Sequence, residues 1–274
     1  MSEEGIKLAI LDMNNGEPNQ GLRCIREIVE KYNDKLSWKI FDVRQYNELP
    51  DLSYDIFISS GGPGNPNEGG EWKDRFFELI DGAWKYNLAG NPRKKHFFFI
   101  CHSFQMACEH FDLAEITQRN KTAFGVYPVH KTEAGKSDII LEGLADPYYA
   151  IDSRDWQLIQ PRLEVFEEHG AQILSLEKIR DHVDYERAIM SVRFSREFVG
   201  TQFHPEADPL SLKEHLKQQE NRDKIITNFG QTKYEDMLEH LDDPDKINLT
   251  YQTILPGFIN RALNRLNKEN LVVC

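Results

Sequence analysis

Apolar and polar positions divide the first hundred residues into two kinds of segment. Short, mainly apolar runs, typical of buried strands, occupy residues 6–11, 38–43, 54–59 and 97–100, and the last of these is unbroken. Apolar residues that recur at helical spacing occupy residues 20–32 and 71–88. Strands that alternate with helices in this way pair in parallel through right-handed crossovers. The pattern therefore predicts a doubly wound α/β sheet, with functional groups beyond the carboxyl ends of its strands.

The middle of the chain, residues 123–189, is less regular. Apolar runs predict strands at residues 124–130, 138–141, 147–151 and 172–176, and helical spacing is scarce. We expect these strands to pair antiparallel at one edge of the sheet. Two further runs, at residues 188–194 and 197–203, predict a hairpin that returns to the core.

Helical periodicity returns in the last part of the chain, at residues 209–219, 234–241 and 256–266. The final segment begins just after Pro256, a residue suited to the start of a helix. It carries an apolar stripe formed by Phe258, Ile259, Ala262, Leu263 and Leu266. Such a stripe usually packs on its parent domain, and a homodimer contact is the alternative.

The chain of 274 residues has a formal net charge of −12, so nucleic acids and anionic membranes, which require basic surfaces, are not expected as partners. No apolar run approaches the ~20 residues that span a bilayer, and the short acidic start does not resemble a secretory signal. The cysteines are Cys24, Cys101, Cys108 and Cys274. They form no CxxC pair, which favours a cytoplasmic protein with reduced thiols and no metal.

Cys101 is the first candidate for chemistry. It follows the buried run at residues 97–100 and precedes helical spacing, so it is predicted at a sharp turn between a strand and a helix. The free N–H groups and positive dipole end of that helix favour a thiolate. The same turn carries the nucleophile of many hydrolases. The alternative is a buried cysteine that serves as a small apolar side chain.

Two further segments carry residues that would serve such a nucleophile. The loop SSGGPGNP, at residues 59–66, contains Gly61 and Gly62, which permit close backbone approach to an anion, although by itself it is an ordinary turn. His204 and Glu206 follow the last predicted strand two residues apart and should point the same way. A histidine oriented by a carboxylate is the base that a cysteine nucleophile requires.

The segments SGGPGNP, ICHSFQ and GTQFHPE, in this order and at these distances, resemble the class I glutamine amidotransferases. The resemblance covers roughly residues 5–210 and is strongest to stand-alone domains like the glutaminase part of GMP synthase. It implies a flavodoxin-like three-layer α/β sandwich with a mainly parallel central sheet. It also implies a class I domain over residues 1–210, on which residues 211–274 pack as a helical extension.

The resemblance implies hydrolysis of the side-chain amide of L-glutamine to glutamate and ammonia through a thioester on Cys101. His204 would act as the base, and Glu206 would orient it. The backbone N–H groups of Gly62 and His102 would form the oxyanion hole, each worth about 3 kcal/mol.

The resemblance also implies which groups hold the substrate. Substrate-binding positions would be Gly61, Gln105 and Ser153. No organic cofactor is implied. Nothing in the chain resembles a P-loop, so the ammonia would pass to a separate synthetase subunit or be released.

Departures from the family pattern leave two alternatives open. The family usually has glycine two residues before and after the nucleophile, where this chain has Phe99 and Ser103, and residues 151–155 replace a His-Ser-His-like substrate loop. The succession of Cys101 and His102 resembles the intracellular cysteine peptidases of the same superfamily, in which the neighbouring histidine is the base. With an inert Cys101 the protein would instead be a binding or regulatory module.

Overall fold

The structure, a computed structural model, describes residues 5–179 and 186–272. These residues form a nine-stranded sheet with the spatial order β2-β1-β3-β4-β9-β8-β7-β5-β6. The strands are β1 Ile6–Asp12, β2 Leu36–Asp42, β3 Ile56–Ser59, β4 His96–Ile100, β5 Glu115–Lys131, β6 Tyr148–Ile159, β7 Gln172–Leu176, β8 Ile189–Arg193 and β9 Phe198–Thr201. From β2 to β9 the neighbours are parallel, and from β9 to β6 they are antiparallel.

The helices are α1 Gln20–Glu30, α2 Glu71–Leu88, α3 His102–His110, α4 Glu133–Ser137, α5 Leu163–His169, α6 Pro209–Lys217, α7 Gln219–Phe229, α8 Gln231–Asp242 and α9 Leu249–Val272. Two short helical turns, a 3₁₀ turn at Ile139–Leu141 and a π turn at Pro244–Asn248, complete the described part of the chain. None of the helices in this part combines the length and the apolar character needed to cross a membrane.

Helices cover both faces of the parallel strands. Because successive strand residues face opposite sides, Phe98 packs with α1 and α9, whereas Phe97 and Phe99 pack with α2 and α3. The predicted three-layer α/β sandwich, with parallel strands at its centre, is confirmed. The carboxyl ends of β1, β3, β4 and β9 meet at one edge of this sheet, where polar side chains from separate segments can converge.

Helix α9 packs on the sheet through its apolar stripe, and Phe258 contacts Phe98 edge-on with ring centroids 5.2 Å apart. The stripe is covered within the chain, so it does not offer the homodimer contact considered as the alternative. The expected helix start at Pro256 is wrong, because α9 begins at Leu249 and Pro256 lies inside it. Fully buried Ile254 and Leu255 anchor the preceding turns, so tertiary packing carries the helix past the proline.

Helices α6, α7 and α8 pack against β5 and β6 and form an apolar cluster separate from the two sheet faces. Its buried members are Val126, Leu216, Ile225, Tyr234, Met237, Leu241 and Ile247. The sequence predicted α6 and α8 but not α7, which carries few apolar residues. The division at residue 210 between a domain and its extension stays a prediction.

The antiparallel edge was predicted, but its segments differ in detail. β5 and β6 are longer than expected, and α4 and α5 were not predicted. The strand expected at residues 138–141 is wrong, because these residues form a cap and a 3₁₀ turn. The Asp138 carboxylate accepts the Ile140 N–H at 2.8 Å and binds Arg193 at 2.7 Å, which fixes the turn.

Candidate active site

Cys101 lies at the sharp turn between β4 and α3, at the edge where the parallel strands end. Its backbone has φ 49° and ψ −101°, a strained conformation for a residue with a side chain. Its N–H donates to the Thr201 carbonyl at 2.8 Å, and its carbonyl accepts the Gln105 N–H at 3.0 Å. These backbone bonds hold the strained turn in place, with Cys101 only 6% exposed.

The two residues that stand where the family usually has glycine are accommodated in different ways. The Ser103 hydroxyl accepts the Ile100 N–H at 2.9 Å and donates to the Ser59 carbonyl at 3.0 Å, so it ties β4 to β3. Phe99 is fully buried on the α2 side of the sheet. The β9 residue beside it is Gly200, where a Cβ would lie 3.1 Å from the Phe99 Cβ. A missing side chain on β9 thus makes room for the large one on β4.

His204 and Glu206 lie next to each other, with 2.8 Å between His204 Nδ1 and Glu206 Oε1. Strand alternation is not the reason, because β9 ends at Thr201 and both residues belong to the turn that follows. The turn is held by the His204 N–H, which donates to the Ile151 carbonyl at 2.9 Å. Glu206 is 1% exposed, so its carboxylate is dedicated to the histidine rather than to solvent.

Gly61 lies against both the imidazole of His204 and the side chain of Cys101. A Cβ at this position would lie 2.9 Å from His204 Cε1 and 3.4 Å from Cys101 Cβ. Burial by itself would lower the pKa of His204, but the Glu206 carboxylate and the nearby Cys101 raise it well above its ordinary value. With Nδ1 engaged by Glu206, Nε2 is the nitrogen that remains for the sulfur.

His102 is differently placed. Its side chain is buried, and burial together with the nearby cations Arg44 and Lys73 lowers the pKa of its imidazole to about 3. An imidazole whose pKa is lowered this far is a poor proton acceptor at neutral pH. The side chain of His102 therefore lacks the features that His204 has, which argues against the peptidase-like arrangement.

The loop that contains Gly62 is fixed to the end of β1. A Cβ at Gly62 would lie 2.2 Å from the Met13 carbonyl oxygen, so the close approach of the two segments requires glycine. The Ser60 hydroxyl accepts the Met13 N–H at 2.9 Å, and Arg44 donates to the carbonyls of Met13 and Pro63. These contacts hold the loop rigidly above the turn at Cys101.

A cleft of about 300 Å³ joins these groups. Its walls include six of the predicted site residues: Gly62, Cys101, His102, Gln105, Ser153 and His204. The Ser153 carbonyl is 3.9 Å from the Cys101 sulfur. Gly61 contacts the cleft residues from behind, and Glu206 lies behind the imidazole, so all eight predicted positions are brought to one place.

The segment at residues 151–155 is part of β6 and faces two ways. Asp152 and Arg154 are buried and bind each other, with 2.9 Å between Arg154 Nε and Asp152 Oδ2. Ser153, between them, is exposed, as strand alternation predicts, and it lines the cleft together with its neighbour Arg154. Asp152 and Arg154 therefore form an ion pair within the strand, and Ser153 presents its hydroxyl and carbonyl groups to the site.

Gln202 was missed by the sequence analysis. Its side-chain amide nitrogen donates to the Cys101 sulfur at 3.6 Å, and its oxygen accepts from the Gln105 amide at 2.9 Å. Gln105 also donates to the Trp156 carbonyl at 3.1 Å. A polar residue at the end of an otherwise apolar strand, two positions before His204, was the available signal.

The remaining cysteines that the structure describes, Cys24 and Cys108, are buried free thiols, and burial raises the pKa of each. Cys274 lies outside the described residues. Within residues 5–179 and 186–272, no cluster of three or more histidine, cysteine or acidic side chains is arranged to hold a metal ion. Cys101 is thus distinguished from the other described thiols by its strained turn and by the histidine beside it.

Residues 29–222 match the sequence model of the family described as glutamine amidotransferase class-I. No curated protein sequence matches the chain at a significant level. Among solved structures, the fold is similar to that of a glutamine amidotransferase from Thermotoga maritima, with 16% identity and a TM-score of 0.67 over 95% of this chain and 99% of that chain.

Two further structures are similar in fold. A putative GMP synthase component from Thermoplasma acidophilum has 18% identity and a TM-score of 0.52, covering 86% of this chain and 98% of its own. The glutaminase domain of Trypanosoma brucei CTPS, with bound acivicin, has 17% identity and a TM-score of 0.54, covering 73% of this chain and 86% of its own.

Proposed function

Because the chain belongs to the class I glutamine amidotransferase family, we propose that it hydrolyses the side-chain amide of L-glutamine to glutamate and ammonia. The observation that carries the proposal is the arrangement of Cys101, His204 and Glu206. The Glu206 carboxylate binds Nδ1 of the imidazole, Cys101 lies beside the ring in the same cleft, and both residues raise the pKa of His204. This is the charge distribution that a thiolate nucleophile requires.

In the first step the Cys101 sulfur attacks the γ-carbonyl carbon of glutamine, and a C–S bond forms. His204 holds the proton taken from the thiol and delivers it to the departing nitrogen, so the C–N bond breaks and ammonia leaves. Glu206 keeps the imidazole oriented and stabilises its positive charge. Water, deprotonated by His204, then attacks the thioester, and glutamate is released with the thiol restored.

Two backbone groups are proposed to stabilise the oxyanion of the tetrahedral intermediates. The N–H of His102 belongs to the first turn of α3, where the helix has no internal acceptor for it, and Gly62 lines the cleft from the facing loop. Each donor is worth about 3 kcal/mol of transition-state stabilisation. Gly61 leaves the space between sulfur and imidazole open, and Gln105 and Ser153 are proposed to contact the substrate.

We propose that residues 211–274 complete the domain as a helical extension, because α6 to α9 pack on its strands. Ammonia would go to a separate synthetase subunit or be released. A thiolate nucleophile, with two further reduced thiols in the core, suits a reducing compartment such as the cytoplasm.

The test is covalent labelling with acivicin, a glutamine-mimicking electrophile, mapped by mass spectrometry and combined with measurement of ammonia released from L-glutamine. We expect labelling at Cys101 and loss of both signals in Cys101→Ala. His204→Ala should lower the ammonia release by about a hundredfold or more, as expected for loss of a general base. Cys24→Ala is the matched control and should leave both signals unchanged.

Three results would contradict the proposal. Labelling of Cys101 no faster than that of Cys24 would favour a non-catalytic module. Activity that survives His204→Ala but is lost in His102→Ala, which keeps the backbone N–H group, would favour the peptidase-like arrangement. Glutamine left intact by a chain whose Cys101 is nevertheless labelled would indicate another substrate.

A further inference from the structure

A second cavity, of about 430 Å³, adjoins the Cys101 cleft at the imidazole of His204. The two cavities share Pro18, Asn19, Ser153 and His204 in their walls, but the second contains Glu206 and does not contain Cys101. It therefore lies on the carboxylate side of the imidazole, between the first turn of α1, strand β6 and helices α6 and α7. The mechanism described above does not use it.

The chemistry of this cavity suits an uncharged apolar group. Its apolar side chains are Phe124, Ile151, Leu212, Leu216 and Ile225. The charged groups at its walls are already engaged: Arg23 binds Glu27 and Ser211, and Lys224 binds Glu220.

Asp208, the remaining acidic residue at the wall beside Glu206, caps α6. Its carboxylate accepts the N–H and the hydroxyl of Ser211, at 3.0 Å and 2.6 Å. A ligand in the cavity would consequently gain mainly from burial of apolar surface.

The position of the cavity relates it to the leaving group of amide hydrolysis. The departing nitrogen takes its proton from His204 in the Cys101 cleft, and a group attached to that nitrogen can reach the second cavity along the wall that the two cavities have in common. Ammonia is about the size of water and occupies about 30 Å³, less than a tenth of this cavity. A cavity of this size is therefore unnecessary for glutamine and suitable for a larger amine.

We propose that the site also hydrolyses γ-glutamyl amides whose nitrogen bears an apolar substituent, and that the second cavity holds this substituent. The inference rests on the proposed glutaminase function and extends its substrate class. Cys101 forms the C–S bond to the γ-carbonyl carbon, the C–N bond breaks, and the proton from the thiol passes through His204 to the nitrogen. The primary amine leaves through the second cavity, and water releases glutamate from the thioester.

The experiment compares L-glutamine with L-γ-glutamyl-methylamide and L-γ-glutamyl-benzylamide, measuring glutamate release for each. We expect kcat/KM to be at least as high for the benzylamide as for glutamine. Leu212→Trp, which fills the cavity, should lower kcat/KM for the benzylamide by about tenfold or more and change that for glutamine by less than about threefold. Leu210→Trp, on the exposed side of the same helix, is the matched control and should change neither.

Leu212→Ala keeps the test decisive if the tryptophan variant does not fold, because a larger cavity should raise turnover of a bulkier naphthylmethylamide relative to glutamine. Hydrolysis of glutamine without hydrolysis of the benzylamide overturns the inference and leaves the glutaminase proposal intact. Equal losses for both substrates in Leu212→Trp also overturn it, because the cavity would then be structural. If neither substrate is hydrolysed and acivicin does not label Cys101, both proposals fail together.

Discussion

The imidazole of His204 receives opposing influences from its surroundings. Burial disfavours its charge, whereas Glu206 at 2.8 Å and the sulfur of Cys101 favour it, and the net result is a raised pKa. At neutral pH the side chain is consequently a cation that already carries the proton destined for the leaving nitrogen. Activity should fall on the alkaline side of the pH profile, when this proton is lost.

Replacing Glu206 by glutamine tests this account at the residue scale. Glu206→Gln keeps a hydrogen-bonding side chain of the same size but removes the charge, so the pKa of His204 should fall towards its ordinary value. We expect the alkaline limb of kcat/KM against pH to move to lower pH by about one unit or more. Glu133→Gln, which removes a carboxylate from an exposed surface pair with Lys136, should leave the limb in place. An unmoved limb in Glu206→Gln would show that the carboxylate does not set the charge of the imidazole.

At the scale of elements, the nucleophile turn depends on how β4 packs beside β9. A Cβ at Gly200 would lie 3.1 Å from the Phe99 carbonyl oxygen and 2.6 Å from the Phe104 ring carbon Cδ2. The first contact involves backbone, which cannot rotate away, so β9 would have to move. Since the Thr201 carbonyl holds the Cys101 N–H, such a movement would reach the turn.

Gly200→Ala should therefore lower the free energy of unfolding by about 1–3 kcal/mol, as overpacked cores do, and should lower kcat/KM as well. Gly82→Ala is the matched control. Its Cβ would meet Leu52 at an ordinary 3.6 Å inside helix α2, where alanine should stabilise the protein by about 0.5–1 kcal/mol. Chemical denaturation measures both effects, and equal changes in the two variants would refute the packing account.

Some elements follow from local sequence patterns and others do not, for physical reasons. β1, β3 and β4 were predicted well because strands buried on both faces appear as unbroken apolar runs. Residues 138–141 are also mainly apolar, but the Asp138 carboxylate accepts the backbone N–H of Ile140, and this hydrogen bond favours a turn. In α9 the burial of Ile254 and Leu255 overrides the tendency of Pro256 to end or start a helix. This burial depends on the rest of the fold, so the local sequence does not predict it.

The candidate site could be predicted as a set of residues but not as a geometry. The turn at Cys101 and the loop at Gly62 follow from local patterns, since strands and glycines determine them. The link between Gln202 and Cys101 depends on the register of β9 beside β4, which appears only once the sheet is assembled. The second cavity was not predicted because four separate segments of the chain form its walls.

At the scale of the whole molecule, two buried histidines couple folding to pH. Burial, with smaller effects from nearby charges, lowers the pKa of His96 and of His102 to about 3 from an ordinary value of 6.5. Between these values the unfolded chain binds more protons than the folded one. The stability that each histidine contributes is thus complete above about pH 6.5 and is lost as the pH falls towards 3.

We expect the free energy of unfolding to fall by about 2 kcal/mol for each of these histidines between pH 7 and pH 5. His96→Gln should remove about half of this pH dependence, whereas His169→Gln, at an exposed position, should leave it unchanged. Urea denaturation at the two pH values measures the difference. Parallel pH dependences in the wild type and His96→Gln would contradict the assignment.

The separate apolar cluster of α6, α7 and α8 has a consequence for access to the protein interior. Helices with a small core of their own can detach transiently at a lower cost than elements that share the main core. Transient detachment of these helices would expose the side of His204 that binds Glu206, while the parallel strands keep the sulfur in place. A bulky amine could then leave through the opening between these helices and the sheet, while the strands that position Cys101 stay unchanged.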